Sequence, residues 1–448
     1  MKRLMSLFLI LAATLGAMAQ QEMNLTIDQA VELAVKNNHN YLISQEEVKQ
    51  YRYRLRQSFG FLPQVTLEGA KNLDEKLMVI EIPPFYPGGE ATQATLDFTM
   101  NYEFTFQVVQ PVFAGGKIFY SFKNAKLDLD IAREKHRDAQ KEVILNVKKV
   151  FFNILVMKEL LKAHEEALLL AETNYRNVGE NFKLGMVSKY DLLRAELAVT
   201  GVKPNLTNVR KILDLSLANL KMMTGIAADV TIDVVGELTF HEYQLELAGL
   251  IRKALVNRSE LRQLQLEQEK AKNLLKIAYG QFLPNISLIG RWSYRSNTFS
   301  LKGNNWDDYY SINLGISYPI FTGFKRTAQI GEINVMKKIL NLNYEQLSDG
   351  TRLAVEDLVL TIKQEYENIQ NGLKSMEAAE EGARIADLTY REGLISILEL
   401  NSSTNDLTRA KVNFFQAVYN YNIAVAQLEK ISGVEFKEAN LNGGMNEE

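Results

Sequence analysis

From residue 95 to residue 108 the chain alternates without exception. Leu96, Phe98, Met100, Tyr102, Phe104, Phe106 and Val108 are apolar or aromatic, and Thr95, Asp97, Thr99, Asn101, Glu103, Thr105 and Gln107 between them are polar. Alternation of this length predicts a β-strand over 95–113 with one apolar and one polar face. Pro111 is expected to end it, and the Ala-Gly-Gly-Lys turn at 114–117 leads into a long helical pattern. Residues 309–321, YYSINLGISYPIF followed by TGFK, repeat the plan. Pro111 matches Pro319 and Gly115 matches Gly323, each at a spacing of 208 positions.

The repetition extends along the chain. Phe61-Leu62-Pro63 recurs as Phe282-Leu283-Pro284, and the turn 182–188 (FKLGMVS) recurs as 390–396 (YREGLIS). A period near half the chain is a duplicated domain, not a solenoid of short repeats. The first copy is read as 20–225, the second as 244–432, with 226–243 as a connector and 433–448 as a polar tail. In the first copy Thr26 is expected to cap a short helix, and a second helix over 41–59 is stopped by Pro63. A β-hairpin with a long tip follows over 64–113. Residues 116–183 contain no proline, and a helix of that length rises about 100 Å. Its apolar seam is Val147, Val150, Ile154, Met157, Leu161, His164, Leu168, Ala171, Tyr175, Val178 and Phe182, spaced three and four as in helices packed side by side. Gly185 breaks it, and a return helix from Ser188 carries the seam Ala195, Val199, Val202, Leu206, Val209, Leu213, Ser216 and Leu220, with a kink expected at Pro204. The second copy predicts two short helices, a hairpin over 285–321 and a helix pair over 325–431.

The N-terminus reads as a secretory signal over 1–19: Lys2 and Arg3, a short apolar run, then Ala17-Met18-Ala19. There is no cysteine in the 448 residues, so export brings neither disulfides nor a lipid-acceptor thiol. After residue 20 no run is long and apolar enough for a membrane helix. An exported chain of this kind enters a bilayer only as a closed β-barrel. Four long strands cannot close one, since membrane barrels begin at about eight. The strands must therefore be pooled between subunits or lie in a soluble sheet. Aromatics in and beside the strands, Tyr102, Phe104, Phe106, Trp292, Tyr294, Trp306, Tyr309, Tyr310 and Tyr318, favour the membrane. The fold class expected is mainly α with a β-barrel contribution.

In order and repetition, these features resemble the TolC-like outer membrane efflux proteins. The carrying motifs are Leu-Pro at 62–63 and 283–284, Gln-Pro-Val-Phe-Ala-Gly-Gly at 110–116, Tyr-Pro-Ile-Phe-Thr-Gly at 318–323 and the paired Gly-x-x-Ser turns. The resemblance implies a homotrimer whose twelve-stranded barrel sits in outer membrane lipid and continues into a periplasmic α-helical barrel. It implies an exit duct for an efflux or type I secretion system, working with a periplasmic adaptor and an inner-membrane pump. Pro63, Pro111, Pro284 and Pro319 would mark the joints between barrel and tunnel. The family's gate carries an acid six positions after the turn glycine, here Asp191 and Glu399, and a tyrosine three before it in the second copy, here Tyr390. Where some members carry a second acid this chain has Ser402, and where they carry a base it has Ile395. Both acids also fall in the first turn of a helix, where the dipole alone would favour them. The tips Leu184, Gly185, Met186, Val187 and Ser188, and Gly393, Leu394, Ile395 and Ser396, are the surface expected to meet the adaptor.

Composition narrows the alternatives. A net charge of −3 without a basic cluster argues against nucleic acid. The four histidines, His39, His136, His164 and His241, are scattered, and His164 falls on a packing seam. Gly115-Gly116-Lys117 lacks the upstream glycine of a phosphate loop and is followed by Ile118 instead of Ser or Thr. No enzyme, cofactor or metal site is read. Two other classes stay open, a coiled-coil scaffold of the periplasm and a stand-alone, substrate-specific porin.

Overall fold

The computed structural model describes residues 23–73, 77–97, 101–300 and 306–436. The signal segment 1–19, positions 98–100 of the alternating stretch and the tail beyond 436 lie outside them. In chain order the elements are β1 (Met23–Leu25), α1 (Ile27–Asn37), α2 (His39–Gln57), β2 (Gln64–Lys71), β3 (Leu77–Ile82), β4 (Thr92–Asp97), β5 (Tyr102–Ala114), α3 (Lys117–Lys183), α4 (Lys189–Thr224) and β6 (Ile232–Val234). The second half adds α5 (Leu247–Asn257), α6 (Ser259–Gly280), β7 (Asn285–Ser296), β8 (Asp307–Ser317), α7 (Lys325–Arg391) and α8 (Ile397–Ser432). The duplication is literal: α3 and α7 have 67 residues each, α4 and α8 have 36 each.

The chain divides into two compact units. One comprises the chain up to Glu47, Arg133–Gln263 and the chain from Tyr344. Its core is built twice. Around the first copy, Leu25, Ala30, Ala34, Val147, Phe151, Ile154, Leu213 and Leu220 are buried together. Around the second, Leu250, Ala254, Val355, Val359, Ile362, Tyr421 and Leu428 are. Each return helix ends the same way. Gly225 and Gly433 adopt left-handed C-cap conformations, and a nearby asparagine ties down a carbonyl of the last turn. Asn37 Nδ2 donates to Thr224 O and Asn257 Nδ2 donates to Ser432 O, both at 2.8 Å. These bonds satisfy acceptors that a helix end otherwise leaves bare. Ion pairs join the copies: Glu142 with Lys430, Lys148 with Glu429 at 2.5 Å, and Glu166 with Lys411 at 3.1 Å.

Most of the expected α4 seam is buried, namely Ala195, Val199, Val209, Leu213, Ser216 and Leu220, whereas Val202 and Leu206 on either side of Pro204 are half-buried; the helix is continuous through Pro204. On α3 the expected seam is only one margin of what is buried. Val147, Ile154, His164, Ala171 and Val178 are buried, but so are Phe151, Leu155, Leu160, Ala163 and Ala167, while Tyr175 and Phe182 are exposed. A helix with more than one packed neighbour needs a wider apolar stripe than a two-per-heptad seam.

The other unit, Val48–Ala132 with Leu264–Asn343, holds an antiparallel four-stranded sheet in the order β2-β5-β7-β8. The single strand expected over 95–113 is two strands. β5 pairs with β2 from Lys71↔Tyr102 to Gln64↔Val109, whereas β4 pairs only with β3 in a separate hairpin. The alternation continues while the ladder partner changes, and Asn72 N–H donates to Asn101 O where the hairpin leaves the sheet. Pro111 does not end β5. It sits at a register shift between Pro111 and Phe113, and the strand runs on to Ala114. A bulge is where a residue without an N–H fits a ladder.

The turn after β5 depends on close backbone approach. A Cβ on Gly115 would lie 2.1 Å from Gly280 O, and one on Gly280 would lie 2.1 Å from Gly115 O. The equivalent second turn has Gly323 at φ 61 and Phe324, a bulky residue, at φ 62, a conformation that costs on the order of 1 kcal/mol or more. Gly280→Ala should therefore destabilise this unit by about 3 kcal/mol, read as a lower thermal midpoint by circular dichroism. Gly290→Ala, whose Cβ would meet nothing within 4 Å, should leave the midpoint unchanged. Equal midpoints for both variants would contradict the glycine contact.

Candidate functional site

Two parts of the chain leave large apolar side chains exposed: the sheet and the two helical turns. The register of the sheet sorts its side chains into rows. Leu67, Phe106, Trp292 and Tyr310 form one row across all four strands, and Val65, Val108, Gly290 and Ile312 form the next. The intervening rows run Thr66, Gln107, Arg291, Ser311 and Glu68, Thr105, Ser293, Tyr309. Over these central rows one face is therefore apolar and the other polar; Asp308 and Lys71 lie at the loop end of the apolar face, and Val109 and Ile289 interrupt the polar one. The apolar face is not covered by the chain's own core: Leu67 is 72% exposed, Ile312 75% and Tyr310 77%. From Ile286 to Tyr294 it covers nine residues of β7, the length of a tilted membrane-spanning strand. The polar face is cross-linked by Arg295 to Glu103 at 3.1 Å, Arg291 Nε to Gln107 Oε1 at 2.8 Å and Thr105 Oγ1 to Ser293 Oγ at 2.8 Å.

At the loop end of the apolar face, aromatic rings gather. Phe104 lies 5.5 Å from Trp306 and Tyr102 5.4 Å from Phe299, and Trp306 Nε1–H donates to Ser300 O. Such a cluster suits a boundary between hydrocarbon and water. Tyr309, grouped by sequence with the girdle aromatics, instead pairs with Ser293 in a polar row. Among the four prolines, Pro63 and Pro284 directly precede β2 and β7, Pro111 sits in the β5 bulge and Pro319 follows β8.

The two helical turns are copies at atomic detail. Gly185 and Gly393 both have φ 74. Met186 N–H donates to Asn181 O and Leu394 N–H to Thr389 O, both at 2.9 Å. This paired-bond closure of a helix end needs a left-handed residue, hence glycine. Ser188 and Ser396 then cap the return helices, each in a reciprocal box with the acid three residues on. Leu184, Met186 and Leu394 project into solvent at 72, 73 and 71% exposure, whereas Val187 and Ile395 are half-buried.

The expected gate residues are distributed unevenly over this end. Asp191 accepts both the N–H and the O–H of Ser188 through Oδ2, at 3.1 and 2.6 Å. Glu399 does the same for Ser396, at 2.7 and 3.0 Å. Tyr390 is half-buried, and burial first, then the charge of Asp191, raise its phenol above the ordinary value. No hydrogen bond or ion pair among the described residues links Glu399 to Asp191, Tyr390 or Ser402. Ile395 packs with Tyr390 against the buried Ala386, Ile397 and Leu400. Apolar contact thus occupies the position where a base would stand. Ser402 lines a cleft of about 510 Å³ with His164, Asn174 and Arg194. His164 is buried, which lowers its pKa and keeps the ring neutral. Arg194 was not singled out by sequence. Its guanidinium lies 5.0 Å from the Tyr190 ring centre and donates to the Tyr190 hydroxyl. The spacing Tyr-x-x-x-Arg on an exposed helix face is the signal that could have found it.

This geometry, a two-faced sheet joined to paired helical hairpins, has known relatives. The profile of the outer membrane efflux protein family matches residues 30–226 and 250–434. The outer membrane protein TolC of Escherichia coli is 25% identical over 316 residues, 66% of this chain and 62% of that protein. TolC of Vibrio cholerae is 22% identical over 333 residues, 69% of this chain and 74% of that one. The chain therefore spans about three fifths of the length of its Escherichia coli relative. The crystal structure of the Campylobacter jejuni CmeC outer membrane channel shares the fold, with a TM-score of 0.76 at 19% identity, covering 91% of this chain and 85% of that one. This chain belongs to the outer membrane efflux protein family. Membership places it in the outer membrane and makes it a non-enzymatic protein.

The capping carboxylates predict a pH response of the second turn. The backbone N–H and hydroxyl of Ser396 hold the Glu399 carboxyl below its ordinary value. The folded state thus favours the charged form. Its contribution is present above the ordinary carboxylate pKa and lost as pH falls through the lowered one. Amide hydrogen exchange at 397–400, corrected for intrinsic rate, should be flat from neutrality down to about pH 4 and rise below it. Glu399→Gln should remove the rise. A wild-type profile that stays flat into strong acid would contradict the box.

Proposed function

We propose that the protein is the outer membrane exit duct of a tripartite efflux or type I secretion system, conducting passively what an adaptor and an inner-membrane pump deliver. The observation that carries this reading is the sheet: four strands, with one face whose central rows are apolar and exposed and an opposite face whose rows there are polar. On this reading the apolar face meets lipid and the polar face lines a water-filled lumen. β2 and β8 are the outer strands of the sheet. In lipid their outward backbone groups need partners, so the sheet closes by pairing with further copies of the chain. Three copies, giving twelve strands, is the number the family resemblance implies.

The paired turns are the proposed gate and adaptor surface. Leu184, Gly185, Met186, Val187 and Ser188, with Gly393, Leu394, Ile395 and Ser396, present exposed apolar side chains beside fixed carboxylates, a surface that suits a protein partner. Asp191, Tyr390, Glu399 and Ser402 are the proposed aperture residues. Glu399 is the exposed acid of the set. A ring of such carboxylates, one from each copy, would concentrate negative potential and favour cations. The packing of Ile395 and Tyr390 on the buried Ala386, Ile397 and Leu400 supports a resting state held more by apolar contact than by charge pairs.

Planar-bilayer recording of the purified protein tests both parts. Wild type should conduct with cation preference, and Glu399→Ala should lower that preference at least twofold without loss of insertion. Absence of any conductance would overturn the duct. Conductance and selectivity equal in wild type and Glu399→Ala would remove Glu399 from the aperture.

A further inference from the structure

Two glycines, Gly69 and Gly290, lie on the apolar face; the Phe104 ring covers the first, and the second leaves a gap. In the row Val65, Val108, Gly290, Ile312, position 290 alone carries no side chain. The row beside it holds Leu67, Phe106, Trp292 and Tyr310, all large. A Cβ on Gly290 would meet nothing within 4 Å. The result is a notch of about 440 Å³ floored by Gly290, walled chiefly by Val108, Trp292, Tyr310 and Ile312, and bordered at its loop end by Asp308.

We propose that this notch seats one acyl chain of an outer-membrane lipid, lying along β7 with its polar end toward Asp308 and its methyl end over Gly290. The inference rests on the reading that this face of the sheet meets lipid. The occupant follows from where the notch is. It interrupts the central rows of the apolar face, with Asp308 at its loop end, and its walls come from β5, β7 and β8 of one chain. β7 is paired along both edges, so no strand of another copy can reach the floor. Within a hydrocarbon layer there is no water to expel, so the gain is not the hydrophobic effect. It is dispersion: an open notch leaves its lining atoms without neighbours, and a chain of methylenes restores them. Elsewhere on the face the side chains already fill this space, and lipid slides over them without a seat. Trp292, in the wall, reports on the occupant directly.

The test uses that indole. The chain has two tryptophans, Trp292 and Trp306, so Trp306→Phe isolates the first and Trp292→Phe the second. Each full-length variant is reconstituted in bilayers containing a small fraction of phospholipid brominated at mid-chain, and fluorescence quenching is measured. The expected result is that quenching of Trp292 exceeds that of Trp306 at low brominated fraction and falls at least twofold in Gly290→Leu, which fills the notch. Gly290→Ala should fall in between, and it serves should the leucine variant fail to fold. Trp306 quenching should not change with residue 290. Strong Trp292 quenching that is the same with Gly, Ala or Leu at position 290 would overturn the seat while leaving the lipid-facing surface intact. Failure of brominated lipid to quench Trp292 in any variant would overturn the lipid-facing reading and the notch with it.

Discussion

Backbone hydrogen bonding at the sheet edges is the constraint from which the rest follows. In hydrocarbon every N–H and C=O must find a partner inside the protein. The order β2-β5-β7-β8 satisfies the two central strands fully and leaves β2 and β8 with one paired neighbour each. A chain with this sheet and an exposed apolar face is incomplete by itself in a membrane. On the proposed reading other copies supply the missing edges, and two hairpins per chain then suffice because symmetry supplies the remaining strands.

Duplication provides those hairpins and repeats their supports. The asparagine that bonds the last turn of the return helix, the left-handed glycine after it, the closed helical turn and the serine–acid box all occur twice. Some differences between the copies fall at the turns. Tyr190 and Arg194 on the first return helix correspond to Leu398 and Ser402 on the second. Gly116 at φ 80 corresponds to Phe324 at φ 62, so the second copy retains a strained backbone in exchange for a ring packed 5.7 Å from Phe321.

Much of this was legible in the sequence for identifiable reasons. Strict alternation told strand from helix, and prolines and glycines marked where elements stop. Gly185, Gly393, Ser188 and Ser396 sit where the spacing put them, because caps and turns are local. What local pattern could not show was which strand pairs with which. The alternation through 95–108 reads as one strand, yet β4 and β5 belong to different ladders. The width of the α3 stripe likewise depends on how many helices surround it. The contact of Gly115 with Gly280 joins residues far apart in sequence. The spacing from the turn glycines placed Asp191 and Glu399 at the start of the return helices, but their engagement in capping boxes is a property of side-chain geometry.

The most direct measurement is disulfide formation between the outer strands, made clean by the absence of native cysteine. Cysteine pairs placed along β2 and β8, scanned through Thr66 and Glu68 against Ser311 and Asn313, are oxidised in native outer membranes and separated under denaturing, non-reducing conditions. If β2 of one copy pairs with β8 of the next, one register yields a ladder that ends at a discrete species of three chains and disappears on reduction. Monomer alone at every register would contradict the shared barrel.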